Sequence, residues 1–136
     1  MDRNLQILGL AKKAGLLAVG AEDVSAAARA RKARVIISAR DSSSGAFRRA
    51  RASATTGSVS HVIVPYTSFE LGSVSGRGSP GTVAFLDTGL AARFLRGLAE
   101  TAPERYGEAA ESMTVKANAR TKKKRYVQSG KRRTAL

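Results

Sequence analysis

The order of hydrophobic and polar positions divides residues 1–102 into segments of two kinds. Some segments place apolar residues three and four positions apart, as one face of a helix requires. These predicted helices cover about residues 3–14, 21–31, 44–55, 68–72 and 89–102. Between them lie short, nearly continuous apolar runs typical of buried strands, at 16–19, 34–38, 61–64 and 82–86. Because strands alternate with helices throughout, the pattern predicts a layered α/β sandwich.

Short polar residues mark where several of these helices begin. Asp2 precedes the first helix, Ser68 can cap the fourth, and Asp87 or Thr88 precedes the fifth. A side-chain oxygen at such a position accepts a hydrogen bond from an otherwise unpaired backbone N–H of the first turn. Gly15 is expected to end the first helix, because glycine readily adopts the left-handed conformation that closes a helix.

The chain changes character after residue 102. Pro103 begins a polar segment in which we expect one more helix, to about residue 112. Residues 113–136 hold nine Lys and Arg and no acidic residue, and with little to bury they are expected to be disordered in isolation. We therefore predict a globular domain at 1–102 and a polar, strongly basic C-terminal extension at 103–136.

The charge balance points to a polyanionic partner. The chain has 24 Lys and Arg against 10 Asp and Glu, a formal net charge of +14. Self-repulsion of this size destabilises a compact state unless an anion relieves it. Nucleic acid fits, because each neutralised phosphate releases a counterion and adds affinity independent of sequence. An anionic membrane would need a basic amphipathic helix with bulky apolar anchors, and the extension has few, so we expect no membrane partner.

The composition also argues against several kinds of catalytic and metal-binding site. The chain has no Cys, which excludes disulfides, thiolate catalysis and Cys-ligated zinc or iron–sulfur sites. His61 is the single histidine, so neither a zinc site nor a Ser-His-Asp set is indicated, and we expect it to be a strand-end residue. No run of 18 apolar residues and no basic-then-apolar leader is present, from which we expect a cytoplasmic protein. We also expect it to be a monomer.

Two motifs resemble catalytic signatures but stand in the wrong context. Residues 76–81 fit G-x-G-x-x-G, yet the dinucleotide fingerprint needs a strand before it and a helix after it, and here the predicted order is reversed. Asp87-Thr88-Gly89 matches the loop of aspartic proteases, which need two such carboxylates in an all-β fold. We predict no enzymatic activity, no cofactor and no metal.

A glycine-led turn before the second predicted helix is the best candidate for binding chemistry. Gly20 permits close approach of a ligand to the backbone, and the helix that follows presents free N–H groups. Glu22 and Asp23 could accept hydrogen bonds from the imino and amino groups of an exposed guanine. Ordinary helix capping explains the same residues, and the residues alone leave both interpretations open.

Six motifs in order resemble the bacterial branch of the ribosomal protein L-seven-Ae family, whose members bind kink-turn RNA. The resemblance covers about residues 4–99 and rests on Leu8–Gly15, Gly20 with its acidic pair, Ala33–Ile37, Asp41–Ser43, Glu70–Gly72 followed by Gly76, and strand 82–86 followed by Asp87–Ala91. It implies a three-layer α/β/α sandwich around a small mixed sheet of about four strands, no catalysis, and recognition of RNA bends stabilised by tandem sheared G·A pairs. The chain departs from the family pattern at Glu22, where many members have Asn, at Asp23, at Ala26, which replaces a Lys, and at Arg40, where Glu is common.

The resemblance also assigns roles to residues of this chain. It places the turn residues Gly20, Ala21, Glu22 and Asp23 at the G·A pairs. It brings the following residues near a flipped-out nucleotide: Ser43, Phe47, Gly76, Arg77, Gly78 and Ser79. Outside these assigned roles, we expect Arg29 and Lys32 to restore part of the positive charge on the second helix, where Ala26 replaces a Lys.

The basic extension lies outside this resemblance. Lys122, Lys123, Lys124 and Arg125 could clamp phosphates, with Tyr126 stacking on a base. A merely solvated tail accounts for the same composition equally well.

Taken together, these observations predict a non-catalytic protein that recognises structured RNA, a kink-turn or a related element in ribosomal or other structured RNA. The alternative is a module that docks on ribosomal or transcription proteins and gains general RNA affinity from its tail. Some RNA methyltransferases carry a similar small N-terminal domain, but nothing in this chain indicates a site for the methyl donor.

Overall fold

A computed structural model describes residues 2–76 and 78–134, with side chains described as far as Thr121. The strands are β1 Leu17–Val19, β2 Val35–Ser38, β3 Ser60–Ile63 and β4 Thr82–Phe85. The helices are α1 Arg3–Lys13, α2 Ala21–Arg29, α3 Ser44–Gly57, α4 Ser68–Ser75, α5 Thr88–Thr101 and α6 Pro103–Thr134. Each predicted strand and each predicted helix of residues 1–102 is present within a few residues of its expected bounds.

The four strands form one mixed sheet in the order β1-β4-β2-β3. Strand β4 lies between β1 and β2 and runs antiparallel to both, whereas β2 and β3 are parallel. The register places Ala84 of β4 opposite Ala18 on one side and opposite Ile36 on the other. Because β1 and β4 are distant in sequence, this order depends on contacts that local sequence patterns do not specify.

Alternate side chains of the strands pack into two separate hydrophobic cores, one on each face of the sheet. Val19, Ile37 and Phe85 pack on the face covered by α1, α4, α5 and α6. Ala18, Ile36 and Ala84 pack on the opposite face, under α2 and α3. Successive side chains of a strand point to opposite faces, which is why apolar strands without polar gaps are buried on both sides. The result is the expected three-layer α/β/α sandwich.

The helix caps show which sequence expectations were right. The carboxylate of Asp2 accepts hydrogen bonds from the backbone N–H groups of Asn4 and Leu5, as predicted. Asp87, and not Thr88, caps α5 by accepting from the N–H of Leu90 at 2.9 Å. The prediction that Ser68 caps the fourth helix is wrong.

Thr67 caps α4 instead of Ser68. It forms a reciprocal capping box with Glu70, whose carboxylate accepts from the N–H of Thr67 at 3.0 Å. Two orphan N–H groups are satisfied by this arrangement, whereas a lone Ser68 cap would satisfy one.

Helix α6 is longer than the sequence suggested. The expected end near residue 112, followed by disorder, is wrong, because the helix continues to Thr134 and packs along α5. Tyr106, Ala110 and Met113 are buried in the same core as the sheet, and Ala117 packs against it. These residues recur at helical spacing, a stripe that the surrounding charged residues of both signs obscured. The division of the chain at residue 102 stays a prediction.

Candidate nucleic-acid interface

Three of the segments with predicted binding residues lie at the same end of the sheet. Strands β1 and β2 finish where β4 begins, since Val19 is opposite Val83 and Ser38 is opposite Thr82. The loops after β1 and β2 and the loop before β4 therefore emerge together. We call this the turn end of the sheet, and the end where β1 and β2 begin the opposite end.

Gly20 forms the corner between β1 and α2. Its backbone has φ 92° and ψ 158°, and it is the N-cap of α2 with no side chain to contribute. Its N–H donates to the carbonyl of Thr82 at 3.0 Å, and its own carbonyl accepts from the N–H of Val24 at 3.0 Å. The corner is therefore fixed to the first residue of β4, and the predicted contact residues Ala21, Glu22 and Asp23 are exposed beside it.

Hydrogen bonds connect the segment before α3 to Gly81, the residue that precedes β4. The hydroxyl of Ser42 donates to the carbonyl of Gly81 at 2.8 Å, and the N–H of Ala39 donates to that carbonyl at 2.9 Å. Ser43 is the N-cap of α3, accepting from the N–H of Ala46 at 3.1 Å. The structure thus joins Gly20, Ser43 and the residues before β4 into one continuous surface.

Phe47 and the loop before β4 complete this surface. Phe47 is half-buried in the first turns of α3, so part of its ring stays accessible. Gly76 adopts a left-handed conformation, φ 75°, that ends α4, and Gly78 and Ser79 are exposed beyond it. Arg77 lies outside the described residues. A helix precedes this glycine-rich loop and a strand follows it, as predicted, so the phosphate-binding geometry of a dinucleotide fingerprint is not formed.

A groove of about 230 Å³ begins beside the Gly20 corner, at Ala21 and Thr82, and continues between helices α2 and α3. Small side chains form most of its wall, and Arg49 is the one charged residue among the described lining residues. Sequence reasoning did not single out Arg49. A Cβ built at Gly45 would lie 3.7 Å from Arg49 Nη1, so the guanidinium lies beside the first turn of α3.

Arg29 does not lie at the turn itself. It is at the last position of α2, about 13 Å along the helix axis from Gly20. Its Nη1 donates to the hydroxyl of Ser25 at 2.7 Å, so the guanidinium reaches back one turn toward the groove. Lys122, Lys123, Lys124 and Arg125 follow on the backbone of α6, and their side chains lie outside the described part of the chain.

A second contact at the turn end was not expected from the sequence. The carboxylate of Asp41 accepts from the N–H of Ser68 at 2.8 Å and from its hydroxyl at 3.2 Å. The hydrogen bond from the Ser68 backbone is the main reason that the pKa of Asp41 lies below its ordinary value. Next to it, the Phe69 side chain is 74% exposed. Apolar residues of a short helix are equally typical of the core, and Leu71, two positions further on, is buried there, so only the structure identifies Phe69 as an accessible aromatic ring.

His61 is part of the sheet, in the edge strand β3, which β2 and β4 separate from β1 and the Gly20 corner. It is the second residue of β3, and its Nε2 is 2.7 Å from the hydroxyl of Ser38, a fully buried residue. Burial, with a smaller contribution from Arg51, lowers the pKa of His61. Among residues 2–76 and 78–134, no group of three or more His, Asp and Glu is placed to hold a metal ion.

No helix in the described part of the chain is both long enough and apolar enough to cross a membrane.

Comparison with known proteins gives matches in structure and none in sequence. No protein-family model and no curated protein matches the chain. The structure is similar to that of a protein of unknown function from Bacillus halodurans, with a TM-score of 0.64 and 19% identity over 72% of this chain and 98% of that one. It is also similar to the Giardia lamblia 15.5-kDa RNA-binding protein, with a TM-score of 0.55 and 13% identity over 71% of this chain and 82% of that one. At these identities, the chain shares the fold of both proteins.

Proposed function

We propose that this protein is a non-catalytic RNA-binding protein that recognises a kink-turn or a related bent element of ribosomal or other structured RNA. The observation that carries the proposal is the turn end of the sheet. There, hydrogen bonds hold the Gly20 corner, the N-terminus of α3 and the loop before β4 in one exposed surface. Irregular RNA offers open base edges that a regular duplex hides, and a surface made of loops and helix N-termini suits such edges.

The chemistry of the turn supports base recognition over simple charge attraction. Glu22 and Asp23 are both exposed at the N-terminus of α2. Carboxylates repel a phosphate backbone, so their position beside Gly20 favours contact with hydrogen-bond donors of the ligand over contact with its phosphates. Carboxylate oxygens instead accept hydrogen bonds from donors such as the guanine imino and amino groups.

One structural neighbour supports the same proposal. The Giardia lamblia protein that shares this fold is named as an RNA-binding protein. The net charge of +14 supplies the sequence-independent part of the affinity, with the surplus concentrated in residues 113–136. The resemblance to the L-seven-Ae family adds the kink-turn as the specific ligand.

The test compares two double variants of the full chain that remove the same charge. In the first, Glu22→Ala and Asp23→Ala remove the carboxylates of the turn. In the second, Glu108→Ala and Glu111→Ala remove two exposed carboxylates from α6. Affinities for a kink-turn RNA and for the same RNA with disrupted G·A pairs are measured at low and moderate salt.

We expect the unmodified chain to prefer the intact kink-turn and to keep that preference as salt rises. The turn variant should lose about tenfold or more of the preference, since one good set of base contacts contributes about 1–3 kcal/mol. The α6 variant should keep it. Equal binding to both RNAs by the unmodified chain, weakening steeply with salt, would instead favour a protein-docking module with general RNA affinity.

A further inference from the structure

A second concave surface lies at the opposite end of the sheet. There, β1 and β2 begin and β4 ends, as shown by hydrogen bonds of 2.8 Å from the N–H of Arg34 to Phe85 and from the N–H of Leu86 to Leu16. Beside this end is a groove of about 440 Å³ between the end of α3 and α6, which we call the opposite-end groove. Its described lining residues are Arg31, Ala33, Arg34, Gly57, Ser58, Val59, Thr88, Met113, Lys116, Ala119 and Arg120.

The opposite-end groove is strongly basic. Four of its lining residues carry positive charge: Arg31, Arg34, Lys116 and Arg120. No Asp or Glu is among its described lining residues. The neighbouring carboxylate of Asp87 is engaged as the cap of α5, accepting from the N–H of Leu90 at 2.9 Å. Four cations around one concavity repel one another, and an anion in the groove relieves that repulsion.

The guanidinium groups of the groove keep hydrogen-bond donors that are available to a ligand. The Nε of Arg34 is buried and has no acceptor in the described part of the chain. Arg31 donates from Nη1 to the neutral hydroxyl of Ser58 at 3.2 Å. Guanidinium groups without a carboxylate partner are the groups that bind phosphate most readily, because their N–H donors match its oxygens in pairs.

The backbone conformation of Arg31 is a separate indication that this residue has a functional role. Arg31 follows α2 with φ 60°, and its partner Ser58 has φ 56°, so both are in the left-handed region. Glycine or asparagine is the usual residue at such a helix end. Arg31 has this unfavourable backbone conformation, and its Nη1 donates to the hydroxyl of Ser58, another residue of the groove.

The positions of apolar and charged side chains around the groove favour nucleic acid over a membrane as its ligand. The exposed large apolar side chains of the described residues are Leu10, Ile63, Phe69 and Val115. None of them lines the opposite-end groove, so a bilayer would find no apolar anchor there. Helix α6 passes the groove at Lys116 and Arg120 and continues through Thr134, carrying the sequence Lys122-Lys123-Lys124-Arg125. A series of cations on one helix fits the repeated charges of a phosphate backbone.

We infer that the opposite-end groove binds the sugar–phosphate backbone of RNA, so that one chain contacts two RNA segments at opposite ends of its sheet. This inference rests on the proposed function only in taking RNA as the ligand. The two surfaces differ in chemistry. Exposed carboxylates and a glycine corner at the turn end suit base edges, whereas the opposite end has cations for which the described residues supply no carboxylate partner, and these suit phosphates. The groove therefore contributes affinity without preference for sequence or bend.

The experiment removes three charges from the groove and, in a matched control, three charges from elsewhere. The groove variant carries Arg31→Gln, Lys116→Gln and Arg120→Gln. The control carries Arg3→Gln, Arg93→Gln and Arg105→Gln, all exposed residues outside both surfaces. A third variant keeps the charge of the groove with Arg31→Lys, Lys116→Arg and Arg120→Lys. The probes are an uninterrupted RNA duplex of about 20 base pairs, a kink-turn RNA with its G·A-disrupted form, and polyglutamate.

The groove variant should bind the plain duplex about tenfold more weakly than the control variant does. The slope of its log affinity against log salt concentration should be shallower than that of the control by about 1–3, since each phosphate contact contributes roughly 0.9. The charge-retaining variant should bind as the unmodified chain does, which separates charge loss from misfolding. The ratio of affinities for the intact and disrupted kink-turn should be unchanged in all three variants.

The inference is overturned if the groove and control variants lose the same duplex affinity, because net charge alone then accounts for binding. It is also overturned if the unmodified chain does not bind the duplex, or if only polyglutamate binding falls, which would make the groove a site for an acidic protein. A loss of kink-turn preference after Glu22→Ala and Asp23→Ala tests the turn end, whereas duplex affinity tests the groove, so the two proposals fail separately.

Discussion

The backbone of Gly20 is the residue-scale feature on which the turn end depends. At φ 92° and ψ 158°, it lies in a region that is almost exclusive to glycine. A Cβ built at this position would meet nothing within 4 Å, so the requirement for glycine comes from the backbone conformation and not from lack of space. The hydrogen bond from Gly20 to Thr82 holds the corner in that conformation.

Gly20→Ala should therefore lower the free energy of unfolding by about 1–3 kcal/mol, the usual cost of holding a residue with a side chain in such a region. Urea denaturation measures this change. The matched control is Gly107→Ala, at a helical position of α6 where a Cβ also meets nothing within 4 Å and φ is not positive.

The control should raise stability by roughly 0.5–1 kcal/mol, because alanine loses less conformational freedom in a helix than glycine does. If Gly20→Ala were as stable as the unmodified chain, the corner would not have the backbone conformation described above.

At the scale of elements, helix α6 is held to the domain by one apolar stripe. Tyr106 donates from its hydroxyl to the carbonyl of Ile63 at 3.0 Å, which fixes the start of the helix to the end of β3. Met113 lies two turns further on and is 3% exposed, whereas Val115 on the other side of the helix is 62% exposed. The stripe brings Lys116 and Arg120 to the opposite end of the sheet.

Met113→Ala should destabilise the protein by about 2–5 kcal/mol, as expected when a buried methionine is truncated and leaves a cavity. Val115→Ala should change stability by less than about 0.5 kcal/mol, because the side chain is exposed. Thermal or urea unfolding of the two variants measures the difference. Equal stabilities would mean that α6 does not contribute to the core.

At the scale of the whole molecule, charge is distributed unevenly. The formal net charge is +14, and residues 113–136 contribute nine of the basic residues with no acidic one. Helix α6 carries these residues toward and beyond the opposite end, whereas the turn end presents Glu22 and Asp23. The excess of cations in residues 113–136 would therefore add to the attraction of an RNA, whichever surface contacts it first.

Self-repulsion of this size should make the stability of the protein sensitive to salt. Raising KCl from about 0.05 to 0.3 M shortens the screening length and should raise the midpoint of thermal unfolding, by roughly 4 °C for each 1 kcal/mol gained. The variant Glu108→Ala with Glu111→Ala has two further unbalanced charges and should show a steeper rise. A midpoint that falls with salt would mean that attraction between charges outweighs repulsion.

The sequence alone determined the features that depend on neighbouring residues. Periodic apolar positions predicted the four strands and the first five helices, and Asp2 and Asp87 marked two helix starts correctly. These are interactions between residues about four positions apart or fewer, so a local pattern contains them. Net charge and the absence of Cys are likewise properties of the sequence, and the absence of Cys by itself excludes thiolate chemistry and disulfides.

The tertiary structure alone decided which of these features meet. Ser42 and Gly81 are 39 positions apart, Arg31 and Ser58 are 27 apart, and Tyr106 and Ile63 are 43 apart, yet each pair is joined by a hydrogen bond. The placement of β4 between β1 and β2 creates the turn end, and the packing of α6 on α5 creates the opposite-end groove. Such pairings follow from the shared burial of side chains distant in sequence, whose cooperative packing no local pattern records.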